Sequence, residues 1–210
     1  MSKRDLSPAW SVTLGCTVIV LLIVDVFLKN PADRQELMWA CYWASISVAA
    51  GMIFRVDVLV SAGTVFLAGL GLPTWLLGMF MDSQMEATSV LLHVIPLVAG
   101  LLYLTKVTAL PKYSAAGAWL LYVVPFGLAW RFCTPNAMIN LSHWARWPVP
   151  SVLPQTWQFY VLLMSVSAVM VIVAAGILGS LVARNSISRQ AKSRASLRAN
   201  HASPSAKLRG

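Results

Sequence analysis

Residues 157–183, with the sequence WQFYVLLMSVSAVMVIVAAGILGSLVA, contain no Asp, Glu, Lys or Arg in 27 consecutive positions. A helix needs about 20 predominantly apolar residues to cross the ~30 Å hydrocarbon core of a bilayer, and this segment is longer than that. A helix can satisfy all of its backbone hydrogen bonds internally, as lipid requires. The segment therefore predicts a transmembrane helix.

The composition of the whole chain supports the same class. Hydrophobic residues make up 58% of the 210 residues and charged residues only 11%, whereas soluble domains carry about 25% charged residues. The formal net charge of +9 is typical of nucleic-acid-binding proteins, but seven of the 16 Lys and Arg residues lie after residue 183, where no acidic residue occurs. We therefore predict a membrane protein with no nucleic-acid partner.

Five further apolar segments precede this one, and together they predict an all-α polytopic membrane protein. The six predicted transmembrane helices cover about residues 10–28, 37–54, 58–81, 88–105, 114–132 and 157–183. The transmembrane domain is then 1–183. The basic tail, 184–210, is rich in Ser and Arg and is expected to be disordered or a loose basic helix.

The basic residues predict the orientation, because Lys and Arg are enriched in cytoplasmic loops. Six spans place both termini on the same side of the membrane. That side holds twelve Lys and Arg residues, namely Lys3, Arg4, Arg55, Lys106, Lys112, Arg184, Arg189, Lys192, Arg194, Arg198, Lys207 and Arg209. The opposite side holds four, namely Lys29, Arg34, Arg131 and Arg146. We therefore predict that both termini are cytoplasmic.

The polar side chains of the second and fourth spans lie toward the non-cytoplasmic side. Glu86 and His93 share a helix face if the fourth span begins near residue 83. An ionisable group as far into a span as His93 is costly and usually faces a cavity or a partner. Cys41 lies at a similar depth, and a thiol within reach of an imidazole forms the nucleophile–base pair that acyl transfer uses.

Each of these residues also has a purely structural interpretation. Residues 83–86 have the S-x-x-E pattern of a capping box, which explains Glu86 without any function. Cys41 fits as a small apolar helix residue, and His93 fits as a hydrogen-bonded buried imidazole. Asp25 precedes Lys29 by four residues, which is the favourable order for an ion pair on a helix.

The connection at residues 131–155 is long enough to predict a functional or interfacial segment. Asn136 and Asn140 would share one face of a short helix. Because unbonded amides are costly near lipid, these two side chains must cap helix ends, bond to the backbone of other spans or contact a ligand. His143 begins the sequence His-Trp-Ala-Arg-Trp, which fits an interfacial anchor, and it is a further candidate for substrate binding.

Two short motifs resemble those of uncharacterised multi-pass membrane proteins of bacteria. One is the His-x-x-Pro sequence at 93–96, and the other is the Asn-containing sequence PNAMIN at 135–140. More distantly, the chain resembles six-span intramembrane lipid hydrolases and acyltransferases that pair a Thr or Cys nucleophile with a His. The resemblance implies that Cys41 is the nucleophile and His93 the base. It also implies a location in the bacterial cytoplasmic (inner) membrane.

Two functions from different classes follow from these observations. The first is a lipid acyl hydrolase or acyltransferase with an outward-facing site. In that site Cys41 attacks, His93 acts as the base, Glu86 orients it, and Asn136 or Asn140 stabilises the oxyanion. The alternative is a non-catalytic membrane module that binds a lipid or a partner subunit. A small transporter is a third interpretation.

The expected partners follow from the same features. Membrane lipid is the expected partner of the spans, and anionic headgroups are that of the tail, because each basic residue near such a surface contributes about 1 kcal/mol. We expect no metal or cofactor, since a single intramembrane His provides only one axial ligand for haem. The sequence leaves homo-oligomerisation open.

Overall fold

The structure is a computed structural model that describes residues 8–28, 38–82, 87–133 and 157–202. Within these ranges all regular elements are helices, so the all-α prediction is confirmed there. The elements are α1 (Pro8–Leu28), α2 (Ala40–Phe54), α3 (Asp57–Phe66), a π-helix (Leu67–Gly71), α4 (Leu72–Asp82), α5 (Ala87–Leu104), α6 (Ser114–Phe132) and α7 (Trp157–Ala202).

Helices α3 and α4 form one continuous helix through the π-helical turn, and we call this helix the α3–α4 rod. Pro73 follows the turn directly, and because it has no N–H it cannot donate an α-helical hydrogen bond to the Gly69 carbonyl. The Leu72 N–H bonds instead to the Leu67 carbonyl, five residues back. The local sequence thus accounts for the wider turn.

Four helices of the described residues are long and apolar enough to cross a membrane, so the prediction of six such spans is wrong. The four are Ala9–Leu28, Asp57–Leu77, Ser114–Phe132 and Tyr160–Ala195. The predicted span at 37–54 corresponds to the shorter apolar helix α2. The predicted span at 88–105 corresponds to α5, whose described side chains form an apolar stretch over Leu92–Leu104. At a rise of 1.5 Å per residue, the 15 residues of α2 measure only about 22 Å. The orientation of the termini stays a prediction.

A tight turn ends α2 and leads directly into α3. Arg55 adopts the left-handed conformation with φ 60° and ψ 39°, which ends the helix after Phe54. The Val56 N–H donates to the Gly51 carbonyl at 2.8 Å, and α3 begins at the next residue. The acidic side chain of Asp57 therefore stands in the first turn of α3, where it complements the helix dipole.

The α3–α4 rod lies at the centre of the bundle. Its span is 61% buried, whereas the other three candidate spans are only 17–28% buried. The approach of α2 is close: a Cβ at Gly63 would stand 2.5 Å from the Ala44 carbonyl oxygen. On the α6 side, the Ser114 and Ser61 hydroxyls are hydrogen-bonded at 2.7 Å. Small and hydroxyl-bearing residues therefore hold the rod to its neighbours, as is typical of helices packed within membranes.

The outward surface of the bundle is apolar. Phe27 of α1 is 83% exposed, and large apolar side chains also face outward on α5, α6 and α7, for example Val98, Leu120 and Ile172. A soluble protein rarely exposes apolar surface so continuously. The apolar helices and this surface are those of a membrane-embedded protein.

Helix α7 continues beyond its apolar part through much of the basic tail. Of the two forms expected for the tail, residues 184–202 have the helical one, so the expectation of disorder is wrong for this part. Four basic side chains there are exposed, namely Arg184, Arg189, Lys192 and Arg194. The change from apolar to charged residues therefore occurs without a break in the helix.

The contact between α3 and α5 generates the first prediction. A Cβ at Gly100 would collide with Thr64 Oγ1 and lie 3.1 Å from Thr64 Cβ, and the hydroxyl is held by a 2.7 Å bond to the Val60 carbonyl. We expect Gly100→Ala to lower the free energy of unfolding in detergent by about 1–3 kcal/mol, which is typical of overpacking. Thermal unfolding of the purified protein measures the change.

Gly127 on α6 provides the matched control, because no atom of the described residues lies within 4 Å of a Cβ built there. Gly127→Ala should leave stability unchanged or raise it by up to about 1 kcal/mol through helix propensity. Thr64→Ala should restore part of the stability of Gly100→Ala. Equal melting temperatures for the two glycine-to-alanine variants would contradict the close α3–α5 contact.

Candidate functional site

Cys41 lies in the first turn of α2 and is 7% exposed. Its thiol is free and faces the rod, since a Cβ at Gly71 would stand 3.5 Å from Cys41 Sγ. Phe66 and Leu67 flank the same glycine. The predicted nucleophile is therefore packed against the π-helical turn.

His93 lies in α5 and is also 7% exposed. Its ring stacks on Trp75 of the rod, with the ring centroids 5.1 Å apart and an interplanar angle of 16°. Such stacking holds the imidazole plane in one orientation. The predicted base is therefore positioned by an aromatic side chain that the sequence analysis did not connect with it.

Cys41 and His93 both pack against the α3–α4 rod. Gly71, which lies beside Cys41, and Trp75, which lies against His93, are four residues apart, about one helical turn. Helices α2 and α5 are also joined directly, because Ser45 Oγ donates to the Leu92 carbonyl at 3.3 Å. Cys41 and His93 thus belong to the same three-helix junction, and their direct pairing stays a prediction.

The His-x-x-Pro motif has a structural role at this junction. Pro96 lies inside α5 and has no N–H, so it cannot donate to the carbonyl of Leu92, four residues back. The Ser45 hydroxyl of α2 donates to that carbonyl instead. The proline of the motif therefore removes one helical hydrogen bond of α5 next to His93, and the carbonyl left without that bond attaches α2.

The remaining predicted site residues lie outside the described residues. These are Glu86, Asn136, Asn140 and His143, whose side chains belong to this undescribed part, and Lys29, the predicted ion-pair partner of Asp25, is also among them. Their roles stay predictions. Within the described ranges, no group of three or more His, Cys, Asp or Glu side chains is arranged to hold a metal ion.

A cleft between α1 and α5 was not predicted from the sequence. Its volume is about 70 Å³, and its lining consists of Val18, Leu21, Leu22, Val24, Asp25, Leu28, Leu92 and Pro96. Seven of these residues are apolar and one is a carboxylate. The sequence signal for the cleft was Asp25, an acidic residue within a predicted span. Its spacing of four residues from Lys29 instead favoured the interpretation of an ion pair on the helix.

Asp25 is buried at 4% exposure and is bonded to α2. The hydroxyl of Tyr42, itself buried, donates to Asp25 Oδ2. The cleft therefore combines an apolar lining with one buried carboxylate that is bonded to α2.

The bond to Leu92 generates the second prediction. Ser45→Ala removes the hydroxyl that donates to the Leu92 carbonyl. The carbonyl is then left without a donor, which should lower the free energy of unfolding by about 1–3 kcal/mol. In a Pro96→Ala background the cost should be much smaller, because an alanine at this position supplies the helical N–H. A double-mutant cycle of thermal stability in detergent measures this coupling.

Ser180 is the matched control, because its hydroxyl donates to Gly176 within α7 on the exposed surface. Ser180→Ala should have little effect in either background. Additive effects of Ser45→Ala and Pro96→Ala would show that the two residues do not share the carbonyl.

Comparisons with known proteins do not assign the chain to a family. No protein-family model, no curated protein and no solved structure matches the chain, so the resemblance to lipid hydrolases and acyltransferases rests on the short motifs alone.

Proposed function

We propose that the protein is a non-catalytic membrane module that binds a bilayer lipid, with part of one acyl chain held in the α1/α5 cleft. The observation that carries this proposal is the cleft itself, with its apolar lining and single carboxylate. No chemical step is needed for this function. It corresponds to the binding-module alternative that the sequence analysis left open.

The surroundings of the cleft support lipid as its occupant. Val20, Ile23 and Phe27 are exposed on α1 beside it, so its mouth opens into an apolar environment. Along α1 the lining runs from Val18 to Leu28, about 15 Å at 1.5 Å per residue. A volume of about 70 Å³ encloses only a few methylene groups, so the rest of the chain would lie along these exposed apolar side chains.

The orientation that we propose for the protein follows the predicted topology in a bacterial inner membrane. With both termini cytoplasmic, the end of α1 that carries Asp25 belongs to the outer leaflet. The basic end of α7 then projects into the cytoplasm. Arg184 and Arg189 lie nearest the membrane there and contact anionic headgroups, because such attraction fades within a Debye length of about 8 Å.

The third prediction tests the occupant of the cleft. A phospholipid with a photoactivatable acyl chain should label the α1 and α5 residues of the lining. Leu21→Trp should fill the cleft and reduce that labelling about tenfold, which is the effect of losing about 1.4 kcal/mol of binding free energy. Mass spectrometry of the labelled peptides measures the change.

Val20→Trp is the matched control, because Val20 is adjacent in sequence but faces outward. It should leave labelling of the cleft unchanged. Uniform labelling of the outward faces of α1, α6 and α7, with no effect of Leu21→Trp, would contradict the proposal.

Acyl transfer is a second candidate function, which the three-helix junction supports. Cys41 and His93 contact rod residues only one turn apart, and the bond from Ser45 to Leu92 brings α2 and α5 together beside them. In this function His93 would take the thiol proton, and Cys41 would attack a lipid ester carbonyl to form a thioester. The ester C–O bond would break, and the lipid alcohol would leave with the proton returned by His93.

The fourth prediction separates the two functions. In a Cys16→Ser, Cys133→Ser chain, Cys41 is the only thiol, and a membrane-permeant maleimide measures its reactivity. We expect slow reaction that His93→Ala leaves unchanged, because burial limits access and lipid binding needs no activated thiol. A chain with Cys133 alone provides the control thiol, because Cys133 stands at the end of α6 and is not buried.

Acyl transfer requires a different outcome in the same experiment. His93→Ala should then abolish the reaction at Cys41, because the protonated thiol is a poor nucleophile. A loss of reactivity in His93→Ala would contradict the binding-module proposal and support the acyltransferase.

A further inference from the structure

We infer that the part of α7 beyond Arg189 is a binding surface for duplex DNA and that it contacts the phosphate backbone without reading the base sequence. This inference is independent of the cleft and goes beyond the proposed lipid binding. It uses the predicted orientation, in which the basic end of α7 reaches the cytoplasm. It departs from the sequence-based expectation of no nucleic-acid partner, which considered only where the charges lie along the chain.

The length of α7 carries its basic end out of the membrane. The helix has 46 residues and measures about 69 Å at 1.5 Å per residue, whereas a bilayer with its headgroups is about 40–45 Å thick. A tilt of about 40°, the upper end of the range for transmembrane helices, still leaves part of α7 outside. The segment without charged residues ends at 183, so the part outside is the basic one.

The basic residues after Arg189 lie too far from the bilayer to contact headgroups. Lys192 is eight residues, or about 12 Å, beyond Arg184, and the headgroup layer is only about 7 Å thick on each side. Five Lys and Arg residues follow Arg189 in the chain, and no Asp or Glu accompanies them. The side chains of Lys192 and Arg194 are exposed, so an anionic ligand in solution can reach them.

The basic side chains lie on opposite sides of the helix. Lys192 and Arg194 are two residues apart, which corresponds to about 200° around the helix axis. A membrane surface or the face of a globular protein contacts only one side of a straight helix. The major groove of B-DNA is about 12 Å wide and admits an α-helix, which is about 10–12 Å in diameter with its side chains. Because a phosphate backbone borders the groove on each side, both basic side chains meet phosphates there.

The other residues of this part also fit a phosphate backbone. Residues 188–195, with the sequence SRQAKSRA, contain no apolar side chain larger than alanine, whereas protein interfaces depend on large buried anchors. Ser and Gln are among the side chains that bond to the phosphate oxygens of DNA. No Phe, Tyr or Trp follows Tyr160, so the aromatic stacking on which single-stranded nucleic acids depend is absent. Duplex DNA, bound by its backbone, is therefore the ligand that fits best.

The membrane segment of α7 keeps this surface helical before DNA binds. Isolated helices of this size are marginal in water, because nucleation is costly. Helix α7 is continuous from Trp157 to Ala202, so the membrane segment supplies the nucleus and the basic part only extends it. The helix is thus formed in advance, and its ordering does not reduce the affinity for DNA.

The experiment measures the binding of a fluorescent DNA duplex of about two helical turns to the full-length protein in phosphatidylcholine nanodiscs. We expect a dissociation constant of about 1–100 μM at physiological salt, which is typical of binding without sequence specificity. Lys192→Gln combined with Arg194→Gln should weaken binding about tenfold. It should also make the slope of log K against log salt concentration less negative by about 1.8, because each phosphate contact contributes about −0.9. Fluorescence anisotropy in a salt titration measures both quantities.

Lys106→Gln combined with Lys112→Gln is the matched control. Both lysines are exposed, and they lie between α5 and α6, on the same side of the membrane as the basic end of α7 in the predicted topology. This variant loses the same two charges and should leave the affinity and the salt slope unchanged. Equal losses in the two double variants would show a general effect of net charge and would overturn the role of α7.

Two other polyanions distinguish DNA from the alternative partners. An RNA duplex of the same length and a polyglutamate of the same charge should each bind at least about tenfold more weakly than DNA. A-form RNA has a deep, narrow major groove that does not admit the helix, and polyglutamate represents an acidic protein segment. Equal binding of the RNA duplex would overturn the groove geometry. Polyglutamate binding as tight as that of DNA would make an acidic protein the partner and overturn the inference.

A spin label at Arg194→Cys, as the only cysteine, tests whether the membrane surface is the occupant instead. The label should be accessible to a water-soluble relaxation reagent in nanodiscs with and without phosphatidylglycerol. Protection of the label when phosphatidylglycerol is added would place this part of α7 on the headgroups and overturn the inference. None of these substitutions lies in the helix bundle, so the folding of the membrane domain does not limit the test of α7.

Discussion

The close packing of α2 on the α3–α4 rod is the interaction on which the rest of the bundle depends. Water is absent between helices in a bilayer, so association relies on close packing and on interhelical hydrogen bonds. Gly63 allows the Ala44 backbone to approach closely, and the turn at Arg55 brings α2 back along the rod. The same pairing brings Cys41 to the π-helical turn. Because the rod is the most buried span, the other helices are positioned through it.

A second constraint comes from the backbone of α5. Pro96 leaves the Leu92 carbonyl without its helical donor, and lipid offers none, so a side chain from another helix must supply one. Ser45 does so. One proline thereby attaches α5 to α2 beside His93, and the same two residues of α5 line the cleft toward α1. The His-x-x-Pro sequence therefore has a structural explanation that does not require catalysis.

Two Asp–Tyr hydrogen bonds join helices of the bundle, but they stand in different surroundings. Asp57 is half-buried at the start of α3, where Tyr103 and the helix dipole account for it. Asp25 is buried, accepts a bond from Tyr42 and lines an apolar cleft that opens toward lipid. The two carboxylates therefore join helices in different surroundings, one at a helix start and the other in an apolar cleft.

Local sequence determined which segments are helical, because apolar runs and breakers act over a few residues. The predicted segment 114–132 matches α6, and 58–81 matches the rod to within one residue at each end. Sequence also singled out His93 and Cys41, since polar groups stand out in apolar spans. Only the tertiary structure decided that Gly63 packs against Ala44, that Ser45 bonds to Leu92 and that Asp25 faces a cleft. These features depend on contacts between residues far apart in the chain, and hydropathy along one helix carries no information about which side chain of another helix lies opposite.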